Sequence, residues 1–70
     1  MNEVTTETNG NLMFVIFEKD VIDGRTRRDG YLLQNYRLHE DGNFKWVGEK
    51  SFTNKLDAIE AGRKFIGGNQ

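Results

Sequence analysis

Residues 36–46 read YRLHEDGNFKW, and the pairing register of this segment decides the fold. An Asp-Gly pair between apolar stretches marks a β-hairpin. Two loops compete. A two-residue loop of Asp41 and Gly42 sets Leu38 opposite Lys45 and Tyr36 opposite Val47, which divides the large apolar residues between the two faces. A three-residue loop of Glu40, Asp41 and Gly42 sets Leu38 opposite Phe44 and Tyr36 opposite Trp46. One face then collects Leu32, Tyr36, Leu38, Phe44, Trp46 and Phe52. Gly42 also stands where such a loop needs a left-handed residue. A slip of one residue would expose the aromatic set, so the three-residue loop is expected.

Outward from this hairpin, residues 31–39 and 44–52 form its two strands. An earlier strand is expected over residues 12–19, LMFVIFEK, which are β-branched and aromatic and too few for a buried helix. This segment is apolar on both faces, so each side needs a cover. After the hairpin, Asn54 reads as a helix N-cap with Asp57 three residues on. Ala58, Ile59, Gly62, Phe65 and Ile66 fall on one helical stripe. Gly62 costs roughly 1 kcal/mol in helix propensity relative to alanine, which close approach of the helix to the sheet would offset. Gly67 suits the position after the helix, and Arg63 and Lys64 complement the dipole of its last turn.

The expected fold is α+β: a three-stranded antiparallel meander with one C-terminal helix packed on its aromatic face (β-β-β-α). Residues 1–11 hold little that is apolar and are expected to be a disordered tail. Residues 12–67 form the single domain, and residues 68–70 a frayed end.

Seventy residues make one domain, which buries only about 60% of its unfolded surface and is marginally stable. With no cysteine there is no disulfide or thiolate metal site, which fits a reducing cytoplasm. The polar, acidic N-terminus has no apolar core of a signal peptide. The longest apolar run, LMFVIF, falls far short of the about 20 residues of a membrane span. Ten Lys and Arg stand against eleven Asp and Glu, a net charge of −1; without Glu3 and Glu7 it is +1. Neither is the basic balance of a dedicated DNA-binding domain.

The segments YRLHEDGNFKW and SFTNKLDAIEAGRKF, over roughly residues 30–66, resemble the three-stranded-sheet-plus-helix arm domains at the N-termini of tyrosine recombinases, and more distantly AP2-type domains. In that family the sheet face away from the helix enters the DNA major groove. The resemblance would give that role to Asn35, Arg37, Lys45 and His39. Val47, Leu33 and Glu49 share the face and depart from the family's basic pattern.

The face expected to lack a helix carries Tyr31, Leu33, Asn35, Arg37, His39, Lys45, Val47 and Glu49. Apolar residues on an uncovered face mark an interaction site. Tyr31, Leu33, Asn35, Arg37, Lys45 and Val47 are the candidate partner-binding residues. Arg25, Arg27 and Arg28, in DGRTRRDG at residues 23–30, are candidate rim or phosphate contacts. Asp20, Asp23 and Asp29 balance these three arginines, so the stretch is read as a charge-neutral hairpin tip framed by Gly24 and Gly30.

No catalytic residues are expected. His39 has no nucleophile at motif spacing, and IGGNQ opens no phosphate-binding helix. His39, Glu40 and Asp41 are consecutive, and strand neighbours point to opposite faces, so no metal site is expected. No cofactor or small-molecule substrate is expected either. The sequence reads as a small cytoplasmic, non-catalytic interaction module that binds a protein partner or itself. Its composition resembles phage or mobile-element regulators and inhibitors. The alternative is a DNA-binding module of the recombinase-arm type using the same face and the arginine stretch.

Overall fold

A computed structural model describes residues 2–67; the side chains of residues 21–23, 27 and 28 lie outside the description, as do the expected frayed residues 68–70. The elements are β1 (Asn2–Asn9), β2 (Leu12–Asp23), β3 (Thr26–Leu38), β4 (Phe44–Phe52) and α1 (Lys55–Phe65). The strands form one antiparallel sheet in the order β1-β2-β3-β4.

The sheet therefore has four strands, not three. The segment expected as a tail supplies β1. Its Val4, Thr5, Thr6 and Thr8 favour extended backbone. Asn9 pairs with Leu12 around Gly10 and Asn11, and Gly10 has φ 62° while, among the described residues, no non-glycine has positive φ. That is the pattern of a type II′ hairpin. β1 is held by side chains as well as by its ladder. Asn9 Nδ2 donates to the carbonyl oxygen of Ile66 at 2.7 Å. The Arg63 guanidinium donates twice to the Glu7 carboxylate, at 3.2 and 2.9 Å.

The second correction concerns residues 23–30. They are not a loop with two framing glycines. β2 runs to Asp23, β3 begins at Thr26, and only Gly24 and Arg25 turn the chain. Gly24, at φ 63°, makes that turn. Pairing with β1 stops at Glu18 and pairing with β4 stops at Tyr31. Beyond these rungs β2 and β3 continue alone as a two-stranded ribbon.

The β3–β4 hairpin has the expected register. Leu38 pairs with Phe44 and Tyr36 with Trp46. Gly42 has φ 86°, and its N–H donates to His39 O at 2.9 Å. One step further the register shifts: Asn35 pairs with Gly48, and Val47 has no partner. This β-bulge adds one residue to β4, so every side chain after it changes face. Phe52 then pairs with Tyr31, away from Trp46.

Two residues, Thr53 and Asn54, separate β4 from α1, which packs on the face that holds Phe52. Asn54 caps it, its side chain accepting from Leu56 N at 2.8 Å and Asp57 N at 3.3 Å. The core is Phe14, Ile16, Leu33, Ala58 and Ile66, with Val4, Leu12, Tyr31, Phe52, Ile59, Ala61 and Phe65 packed against it. The helix thus covers the face opposite to the expected one. Bulge geometry is the physical reason, because alternation counted straight through β4 puts Phe52 beside Trp46.

Candidate functional site

The pairing rungs sort the sheet into two faces, since directly opposed residues share a side. Leu12, Phe14, Ile16 and Glu18 of β2 lie with Arg37, Asn35, Leu33 and Tyr31 of β3 on the helix side. Met13, Val15, Phe17 and Lys19 lie with Tyr36, Gln34, Leu32 and Gly30 on the other. β4 adds Phe44, Trp46, Glu49 and Ser51 to this second face, and β1 adds Glu3, Thr6 and Thr8. No element of the described residues packs over it.

This helix-free face is apolar at its centre. Val15 and Leu32 are buried by their own neighbours, at 9% and 8% exposure. Met13, Phe17, Tyr36, Leu38 and Phe44 are half-buried. Trp46 is 56% exposed, the most exposed aromatic side chain described. A short polar chain crosses the face: Tyr36 Oη donates to Gln34 Oε1 at 2.8 Å, and Gln34 Nε2 donates to Glu49 Oε1 at 3.2 Å. Lys19 Nζ donates to Ser51 Oγ at 2.7 Å on the ribbon side. The polar groups are thus tied to each other, and the aromatic rings are left to make new contacts.

The residues expected to form a partner-binding face are mostly elsewhere. Leu33 is 2% exposed beneath the helix, and Tyr31 packs against the same core. Asn35 pairs with Phe14 and Gly48 on that side; its Oδ1 is buried without a hydrogen-bond partner among the described residues. Arg37 and Lys45 oppose each other and are exposed, also on the helix side of the sheet. Lys45 Nζ lies 3.6 Å from Asp41 Oδ2. Val47 sits in the bulge at 47% exposure. Of the three arginines, Arg25 is exposed at the ribbon tip, and the side chains of Arg27 and Arg28 lie outside the described residues.

Sequence reasoning missed Trp46, Tyr36 and Phe44 as residues of the open face, having assigned them to the core, and left Phe17 and Met13 on a strand apolar on both faces. The signal that could have found them is Gly48. An isolated glycine in a strand marks a bulge, and a bulge at this point moves Phe52 and the helix to the other side.

Among the described residues two titrating groups are perturbed, and neither is on the open face. The backbone N–H of Asn43 donates to Asp41 Oδ1 at 2.9 Å and is the main cause holding the Asp41 carboxyl below its ordinary 3.8. The hydrogen bonds to Glu7 push the Arg63 guanidinium above its ordinary value. His39 is exposed at the hairpin. Among the described residues, no three His, Asp or Glu stand close enough to hold a metal ion, and no helix is long and apolar enough to cross a membrane.

No known protein family matches the chain, and neither the curated proteins nor the solved structures include a match.

Proposed function

We propose that this chain is a small non-catalytic binding module that engages a protein partner through the helix-free face of its sheet. One observation carries the reading: Trp46 stands 56% exposed opposite Tyr36 on a face that also holds Phe17, Leu32, Val15 and Phe44. A sheet with two apolar faces needs a layer on each, and α1 supplies one. Aromatic residues in a patch with few charges are the composition of a protein-interface centre.

The charges favour protein over DNA. A sheet face that enters a groove needs cations to neutralise phosphate. Among the described side chains, the open face carries Lys19 against Glu3 and Glu49. Arg37 and Lys45, the cations matched to the recombinase-arm pattern, are on the side of the helix.

The test is capture of partners by the intact chain from a host lysate, with and without nuclease, alongside Trp46→Asp. Capture that survives nuclease and is lost in W46D supports the reading. Capture that nuclease abolishes, or that W46D leaves intact, overturns it.

A further inference from the structure

Away from the open face, we infer that Asn9 is a self-modification site, where spontaneous deamidation to aspartate or isoaspartate unties β1 from the end of α1.

The sequence singles out the position. The chain holds seven asparagines, and Asn9 is the one followed by glycine. Deamidation begins when the backbone nitrogen of the next residue attacks the side-chain Cγ. A Cβ on that residue hinders the approach, and Gly10 has none.

The turn leaves this nitrogen open. Gly10 turns the β1–β2 hairpin at φ 62°, and both Asn9 and Gly10 are exposed. A Cβ placed on Gly10 would meet nothing within 4 Å, so no neighbour crowds the turn. Among the described residues the Gly10 N–H donates to no backbone carbonyl.

The reaction needs only water. The Gly10 nitrogen gives its proton to solvent and attacks Asn9 Cγ. An N–Cγ bond forms, the Cγ–Nδ2 bond breaks, and the amide leaves as ammonia. Water then opens the cyclic imide at either carbonyl. The sum is one water consumed, one ammonia released, and an aspartate or isoaspartate at position 9.

Neither product can keep the link that Asn9 makes. Asn9 Nδ2 donates to Ile66 O at 2.7 Å, and Ile66 is the C-cap of α1. The last carbonyls of a helix lack partners within it, and that end carries negative partial charge. A carboxylate in place of the amide brings a negative oxygen to this carbonyl and removes the donor. Isoaspartate also adds a carbon to the main chain of a two-residue turn, whose length fixes the strand register. The remaining hydrogen-bonded link from β1 to the helix among the described residues is Glu7 with Arg63. Its Arg63 side chain is 61% exposed, and exposed ion pairs contribute little.

Incubation of the full chain at neutral pH, followed by peptide mapping in a mass spectrometer, reads the amide at each asparagine. The expected result is loss at Asn9 ahead of the other six. Asn9→Asp and Asn11→Asp then separate the broken link from the added charge. Asn11 lies in the same turn, and among the described residues it is its backbone oxygen that is engaged, by the Leu38 N–H at 2.7 Å. N9D is expected to melt about 4–8 °C below N11D, the shift that losing one hydrogen bond gives in a domain of this size. The aged wild type should melt with N9D. An Asn9 amide that outlasts or merely keeps pace with the other six overturns the inference, as does an N9D chain that melts with N11D.

Discussion

Gly62 lies against the ring of Phe14: a Cβ at Gly62 would come within 2.5 Å of Phe14 Cδ1 and 2.6 Å of Cγ. Phe14 is fully buried, so the ring has nowhere to move. The glycine sets the helix-to-sheet distance and explains why a poor helix former sits in the middle of α1.

Gly62→Ala is therefore expected to destabilise the domain, although alanine gains about 1 kcal/mol in helix propensity. Overpacking a tight core costs roughly 1–3 kcal/mol, and here it wins. Urea unfolding measures it. A G62A variant more stable than the wild type would show that the helix does not sit on Phe14.

Removal of residues 1–9 separates a strand from a tail. β1 contributes Val4 to the core, Glu7 to Arg63 and Asn9 to the helix C-terminus. The truncated chain is expected to lose its cooperative thermal transition, since a domain of this size has only a few kcal/mol to lose. An unchanged melting curve would return these residues to the status of a tail.

Deletion of Val47 removes the extra residue and leaves Trp46 and Phe52 on opposite faces by strict alternation, the arrangement that the bulge now gives them. The expected result is a folded chain with a well-dispersed amide NMR spectrum and α1 still packed on Phe14. A collapsed chain, or one in which α1 has left Phe14, would contradict the part given to the bulge.

The turn at Asp41 predicts a pH dependence of definite sign. Its carboxyl titrates below 3.8 in the folded chain, chiefly because it accepts the Asn43 N–H. The stability it contributes is present above 3.8 and is lost as pH falls through the folded value. The amide shift of Asn43, followed by NMR, should titrate with a midpoint under 3.8. A midpoint at or above that value would mean that the hydrogen bond is absent.

The hairpin register, the helix and its cap were legible in the sequence because each rests on local chemistry: Gly42 in its turn, Asn54 at the cap, and an apolar stripe at helical spacing. The choice of face was not. β2 is apolar on both sides and cannot decide it, and the decision passes through one extra residue at Val47. Leu33 and Trp46 consequently exchange roles, the first becoming core and the second surface. β1 was missed because polar threonines read as disorder when no partner strand is in view. With β1 in place, the Asn9-Gly10-Asn11 turn is an ordinary hairpin signal.

The aromatic face of the sheet, not the face of Leu33, is the proposed contact with a protein partner. The most direct measurement is capture from a host lysate, with and without nuclease, by the full chain, by W46D and by L56D, whose Leu56 is 70% exposed on the helix. Protein capture that survives nuclease, persists in L56D and is lost in W46D is the expected result. Capture that W46D leaves intact, or that nuclease abolishes, would contradict it.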